Sequence, residues 1–145
     1  MNQLPKIIIG DLITDNRGTI NYNNSFDASK IKRMYIIQNN NIDFVRGWQG
    51  HKIEERWFLV IEGSFEINLI RVDNWKTPSK FLKSDKYILS SEKMDVLHVP
   101  PGYISSIRSN EQASKLLAMS NYKNGEVNDE YRFHIDYFKL SHNQK

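Results

Sequence analysis

Ionisable, aromatic and glycine residues crowd into one stretch of the chain, Arg46-Gly47-Trp48-Gln49-Gly50-His51-Lys52-Ile53-Glu54-Glu55-Arg56-Trp57. It stands immediately before the most hydrophobic run, Phe58-Leu59-Val60-Ile61. In an extended backbone, residues two apart project to one face, so Gln49 and His51 stand side by side with Arg46 close behind. An imidazole beside guanidinium groups is suited to act as a general base facing an anionic ligand. Within the same stretch, Glu54-Glu55 reads as a solvated pair, and Trp48 and Trp57 as core or dimer contacts. His98, His134 and His142 read as structural or exposed.

The elements that position this cluster are strands. The run Phe58 to Ile61 reads as buried, and Phe65-Glu66-Ile67-Asn68-Leu69 alternates apolar with polar, so the two are expected to pair as a hairpin through Glu62-Gly63-Ser64. Lys6 to Ile9 reads as an edge strand, and Thr14-Asp15-Asn16-Arg17-Gly18 as a turn, with Thr19 to Tyr22 pairing onward. In the strand Ile31 to Gln38, Arg33, Tyr35 and Ile37 share one face while Lys32, Met34 and Ile36 share the other. Arg71 to Lys86 is polar and proline-broken, which predicts a long exposed connection. Tyr87 to Leu89, Val96 to Val99 and Leu116 to Met119 are further strands, and Pro100-Pro101-Gly102-Tyr103 is a rigid turn between the last two. Residues 128 to 138 differ: an asparagine cap, acids in the first turn and apolar residues at 131, 135 and 138 predict one short C-terminal helix. The class is all-β.

At 145 residues the chain has the size of one domain, taken here as residues 1–145. Lysine plus arginine exceed aspartate plus glutamate by 20 to 17, and the arginines are scattered, which argues against nucleic acid but suits a small anionic ligand. The absence of cysteine removes disulfides, thiolate catalysis and zinc–sulfur sites, and fits a reducing compartment. Residues 1 to 10 have too short an apolar core and too early a proline for a secretory signal, and no stretch approaches a membrane span. These features predict a cytoplasmic protein.

Many short strands, a glycine-rich histidine segment and a later Pro-Pro-Gly together resemble the cupin superfamily, whose fold is a small jelly-roll β-barrel or sandwich with a site in its mouth. Metal-dependent cupins carry a His-x-His pair, a glutamate and a late histidine. At the matching positions this chain has Gln49, His51, Glu55 and Ser105. A carboxamide and a hydroxyl are poor ligands, so no metal and no cofactor are expected. The closer resemblance is to the metal-free branch acting on nucleotide-activated sugars, the dTDP-4-dehydrorhamnose 3,5-epimerases and the WxcM-like dTDP-sugar 3,4-ketoisomerases. Asp15-Asn16-Arg17-Gly18 is similar to the early Asp-x-Arg-Gly of both families. Arg33-Met34-Tyr35 resembles the Arg-x-Tyr strand of the ketoisomerases, and Arg46-Gly47-Trp48-Gln49-Gly50-His51-Lys52 their Arg-Gly-x-His-Ala-His-Lys. Asp129-Glu130-Tyr131-Arg132 with Tyr137-Phe138 resembles their closing pattern.

One departure is chemical. The epimerases' base falls at Gln49, and an amide takes no proton at neutral pH, whereas the second histidine of the ketoisomerases is present as His51. The resemblance therefore implies a 3,4-ketoisomerase of a dTDP-4-keto-6-deoxyhexose, with a 3,5- or 3-epimerase and a non-catalytic nucleotide-sugar binder as alternatives. In this scheme His51 is the base and Arg46 and Tyr122 act beside it. Arg17, Arg33 and Arg46 suit the diphosphate and the sugar charge, because a guanidinium fork matches phosphate oxygens. Tyr35, Tyr103 and Tyr122 suit base stacking or proton donation, Gln49 lines the substrate, and Arg56 stands near the epimerases' enolate-steadying lysine. The resemblance also implies a homodimer, in which a partner chain could complete the pocket.

Overall fold

The computed structural model describes residues 3–140, and among them there is no helix. The strands are β1 (Lys6–Ile8), β2 (Asp11–Asp15), β3 (Gly18–Tyr22), β4 (Arg33–Ile37), β5 (Val45–His51), β6 (Arg56–Glu62), β7 (Ser64–Arg71), β8 (Ser84–Ser90), β9 (Val96–Val99), β10 (Tyr103–Ser109), β11 (Lys115–Ser120) and β12 (Tyr131–Arg132). Ten of them form two antiparallel five-stranded sheets, ordered β1-β9-β6-β11-β4 and β12-β5-β10-β7-β8, and β2 and β3 make a separate hairpin. This is the expected all-β sandwich.

The pattern of each strand follows from where it sits. In β7, Phe65, Ile67 and Leu69 are fully buried and alternate with half-buried Glu66, Ser64 and Asn68, as in a strand with one covered face. They meet Phe58, Val60, Leu97, Leu116 and Ala118 from the facing sheet. Strand β6 is covered on both faces, which accounts for its unbroken apolar run: Trp57 and Leu59 form a second cluster with Val96 and Met119 under Phe26 and Ile31. Each such side chain contributes about 1.5–3 kcal/mol by leaving water.

Four local expectations are corrected. The chain turning through Gly63, which takes a positive φ of 77°, does not close a hairpin: β6 pairs with β9 and β11, while β7 pairs with β10 and β8. Thr19–Tyr22 pairs backward with β2 rather than onward. The connection after β7 is shorter than expected, since β7 runs to Arg71 and β8 begins at Ser84, and Val72 and Pro78 within it are buried. The predicted C-terminal helix is absent: Tyr131 and Arg132 extend the second sheet along β5, and Phe133 exchanges two backbone hydrogen bonds with Trp48. Those amides are taken by a sheet edge, and Ile135 is 37% exposed, so the apolar spacing marks no helical stripe. Strand β10 was not anticipated, because its serines and arginine conceal a strand inside the sheet.

Candidate active site

The mouth of the sandwich holds a cavity of about 380 Å³. Its floor is apolar, with Ile37, Phe58, Val99 and Ile107. Its polar lining brings together Tyr35, Arg46, Gln49, His51, Arg56 and Tyr103, six of the residues singled out from sequence. Strand parity alone would send Arg46 to the opposite face from Gln49 and His51. A register shift between β5 and β10, where Ser105 opposes Gln49 but Ile107 opposes Arg46, restores it to the cavity side. Trp48 then turns outward into a separate cluster with Ile104 and Phe138 and is 2% exposed. Gly50 is needed where β5 lies against β10, opposite Ile104: a Cβ there would lie 2.2 Å from the Tyr103 carbonyl oxygen.

His51 is 7% exposed and its ring is held at both nitrogens. Arg56 donates from Nη1 to Nε2 at 2.6 Å. A guanidinium only donates, so Nε2 carries the lone pair and Nδ1 carries the proton, which it donates to the Asp129 main-chain oxygen at 3.1 Å. Burial, and after it the Arg56 charge, push the imidazole below its ordinary pKa, against the opposing pull of Glu54 and Asp129. The imidazole is therefore neutral with one tautomer selected. Arg56 is fixed in turn, donating from Nε to the Met119 carbonyl at 3.2 Å and from Nη2 to the Tyr35 hydroxyl.

Asp129, just before β12, holds the turn between β5 and β6. Its carboxylate accepts the backbone N–H groups of Lys52, Ile53 and Glu54 at 3.0, 2.7 and 2.9 Å. Sequence inspection placed Asp129 in a motif without giving it a role, because its partners lie more than 70 residues away. Glu54 was expected to be solvated; it is buried instead, accepting from Ser120 Oγ at 2.6 Å and Arg33 Nη2 at 3.2 Å. Glu55 is likewise occupied, 2.8 Å from His98 Nε2 behind the cavity. His134 is exposed, and His142 lies outside the described residues.

His51, Glu54 and Asp129 stand close enough to consider a cation. Their donor atoms do not fit one, since the Asp129 oxygens are spent on three amides, Glu54 on a hydroxyl and a guanidinium, and Nδ1 bears a proton.

Three sequence candidates do not reach the cavity within one chain. Arg17 sits at the tip of the β2–β3 hairpin, paired with Asp15 at 2.7 Å. Arg33 is committed to Glu54 and to Asn124. Tyr122 is turned toward Lys32, whose Nζ lies 6.0 Å from its ring centroid. Arg132, on the other hand, lines the cavity from β12, so the lining carries three guanidiniums and, among the described residues, no carboxylate. The arrangement can hold an anionic ligand while a neutral imidazole takes a proton from it.

Such a two-sheet sandwich, with a cavity at its mouth that holds one imidazole, has the cupin fold. A family model described as "FdtA: WxcM-like, C-terminal" matches residues 2–140. The chain belongs to that family. Among curated proteins none matches. Of solved structures, a 3,4-ketoisomerase from Helicobacter canadensis shares 25% identity over 92% of this chain and 93% of its own, with a TM-score of 0.68. The sugar 3,4-ketoisomerase QdtA from Thermoanaerobacterium thermosaccharolyticum, in complex with TDP, shares 22% over 92% and 90%, with a TM-score of 0.67. A dTDP-4-dehydrorhamnose 3,5-epimerase from Bacillus anthracis, with TDP and PPi bound, shares 16% over 86% and 76%, with a TM-score of 0.69.

Proposed function

We propose that this protein is a sugar-nucleotide isomerase that moves the carbonyl of a dTDP-4-keto-6-deoxyhexose from C4 to C3. The observation that carries the proposal is the neutral His51 imidazole, its Nε2 carrying the lone pair that Arg56 donates to, in the lining of a cavity shared with Arg46, Arg56 and Arg132. A carbon acid beside a ketone is weak, and its enolate is charged, so the reaction needs a base and a fixed cation. His51 Nε2 takes the C3 proton and the electron pair becomes an enediolate across C3 and C4. The proton on O3 passes to O4, the imidazolium returns a proton to C4, and the ketone is left at C3. Arg56 donates to Nε2 within the site. Substrate therefore takes over that guanidinium, freeing the lone pair and placing the cation on the developing oxyanion.

Arg46 and Arg132 hold the diphosphate, and Tyr35 and Tyr103 flank the sugar and base, with Gln49 hydrogen-bonding a hydroxyl. The substrate class is supported by QdtA, seen as an Asn-for-His mutant in complex with TDP-4-keto-6-deoxyglucose. The proposal includes a homodimer. The β2–β3 hairpin exposes Leu12, Ile13 and Ile20 by 39, 56 and 63%, and a hairpin of two strands is marginal unless something packs on it. A second copy covering it would bring Arg17 to the partner's cavity. One domain, a cytoplasmic setting and a supply of deoxysugar for surface polysaccharide complete the proposal.

Incubation with dTDP-4-keto-6-deoxyglucose in deuterium oxide tests it. Isomerisation moves the carbonyl and leaves C4 protonated or deuterated. An epimerase would exchange deuterium at C3 or C5 without moving the carbonyl, and a binder would do neither.

A further inference from the structure

Behind the His51 ring lies a buried carboxylate that the reaction as written does not use. Glu54 Oε2 stands 3.5 Å from His51 Nδ1, and both side chains are 8% exposed. Oε1 is oriented by Ser120 Oγ at 2.6 Å and by Arg33 Nη2 at 3.2 Å, so the carboxylate cannot swing away from the ring. Ser120 is itself fully buried at the end of β11. A solvated glutamate would need none of this, and burying one costs stability unless it is paired.

We propose that Glu54 is a positioning residue that sets the basicity of His51, holding its negative charge on the Nδ1 side so that Nε2 is a stronger base than its surroundings would otherwise allow. The proposal rests on His51 being the base of the proposed reaction. Every other charged group around the ring is accounted for. Arg56 from β6 acts on Nε2 and opposes protonation. Asp129, in the turn before β12, favours protonation, but its carboxylate is spent on three amides. From β5 and β12, Arg46 and Arg132 line the same cavity as further cations, and Tyr35 from β4 and Tyr103 from β10 line it as well. In this setting Glu54 is the carboxylate whose charge is fixed near Nδ1 by side chains, and its contribution runs against burial and Arg56. Arg33, set aside from sequence for the diphosphate, instead anchors Glu54 and moderates its charge.

The test is the titration of the His51 imidazole followed by NMR in the native protein, Glu54→Gln and Arg33→Gln, all without substrate, together with pH profiles of kcat/KM. Glu54→Gln moves the His51 midpoint to lower pH. The acid limb of kcat/KM follows it, so the ratio of variant to native activity rises about tenfold from neutral to acid pH, the size expected of an opposite charge at this range. Arg33→Gln leaves Glu54 uncompensated and moves the midpoint the other way, which keeps the test usable if Glu54→Gln fails to fold. Glu54→Asp, which keeps the charge, restores most of the native midpoint. A folded Glu54→Gln whose midpoint stays or rises overturns the proposal, as does an Arg33→Gln midpoint that stays or falls. Native protein inactive on the ketosugar would instead defeat the proposed function, while the titration would still decide the role of Glu54.

Discussion

Replacing Asp129 by alanine tests how the site is held. Its carboxylate, 2% exposed, accepts three amides of the β5–β6 turn at 2.7 to 3.0 Å. A hydrogen bond to a charged group contributes roughly 1.5–3 kcal/mol. Lys52 and Ile53 face solvent, so water recovers part of their loss, but Glu54 is buried and its amide would be left unpaired. Full weight for Glu54 and about half for the other two gives a cost of about 3–6 kcal/mol. That is a large part of the ~5–15 kcal/mol by which a domain is stable, and corresponds to about 10–20 °C in Tm. The same loosening frees the Asp129 carbonyl that fixes the His51 tautomer, so kcat falls more than KM rises. Urea denaturation and a thermal scan give the first quantity and steady-state kinetics the second. Asp129→Asn, which keeps the shape and one acceptor oxygen, loses less. An Asp129→Ala protein melting within ~2 °C of native, with unchanged kcat, would refute this account of the turn.

Other expectations follow from the same geometry. His51→Asn loses about 10²–10⁴ in rate, checked by turnover, while TDP still raises the melting temperature. Arg56→Gln removes the fixed cation and its charge beside Nε2, so kcat drops about 10²–10³-fold and the acid limb of the pH profile moves to higher pH. Because burial and Arg56 hold the folded His51 pKa below its unfolded value, stability from this group is complete above the unfolded pKa and is lost as pH falls through the folded one; denaturation midpoints between neutral and acid pH measure it. Gly50→Ala forces a Cβ to within 2.2 Å of the Tyr103 carbonyl oxygen and 2.5 Å of Ile104 Cα, both backbone, and lowers stability by about 3 kcal/mol or more in urea. Arg17→Ala leaves the melting temperature within ~2 °C, since it breaks only an exposed ion pair, but raises KM if the hairpin serves a partner's cavity.

Much of this site could be found in sequence because it is local. Gln49 and His51 alternate along one strand, and on β4 Tyr35 reaches Arg56 while Ile37 joins the inner cluster, as their shared parity requires. The parts that could not be found depend on distant partners. Glu54 looks solvated until Ser120, 66 positions later, places a hydroxyl on it, and Asp129 reaches back more than 70 residues to the β5–β6 turn. The β6–β7 turn has the composition of a hairpin, yet each strand finds better partners in different sheets, a choice made by packing on both faces of β6. Tyr131 and Arg132 follow capping residues that suit a helix, but the open edge of β5 takes their backbone groups. Arg46 shows both limits at once, since its type was informative and its face depended on the register shift against β10.

The central claim is that one neutral imidazole, steadied by Arg56, shifts a carbonyl along a nucleotide-linked sugar. Carbon NMR of dTDP-4-keto-6-deoxyglucose labelled at C4, incubated with native protein and with His51→Asn, addresses it most directly. The account predicts that the labelled carbon changes from a ketone to a hydroxyl-bearing signal with native protein and stays a ketone with the variant. A labelled carbon that remains a ketone with native protein, or one that converts equally well without the imidazole, would contradict it.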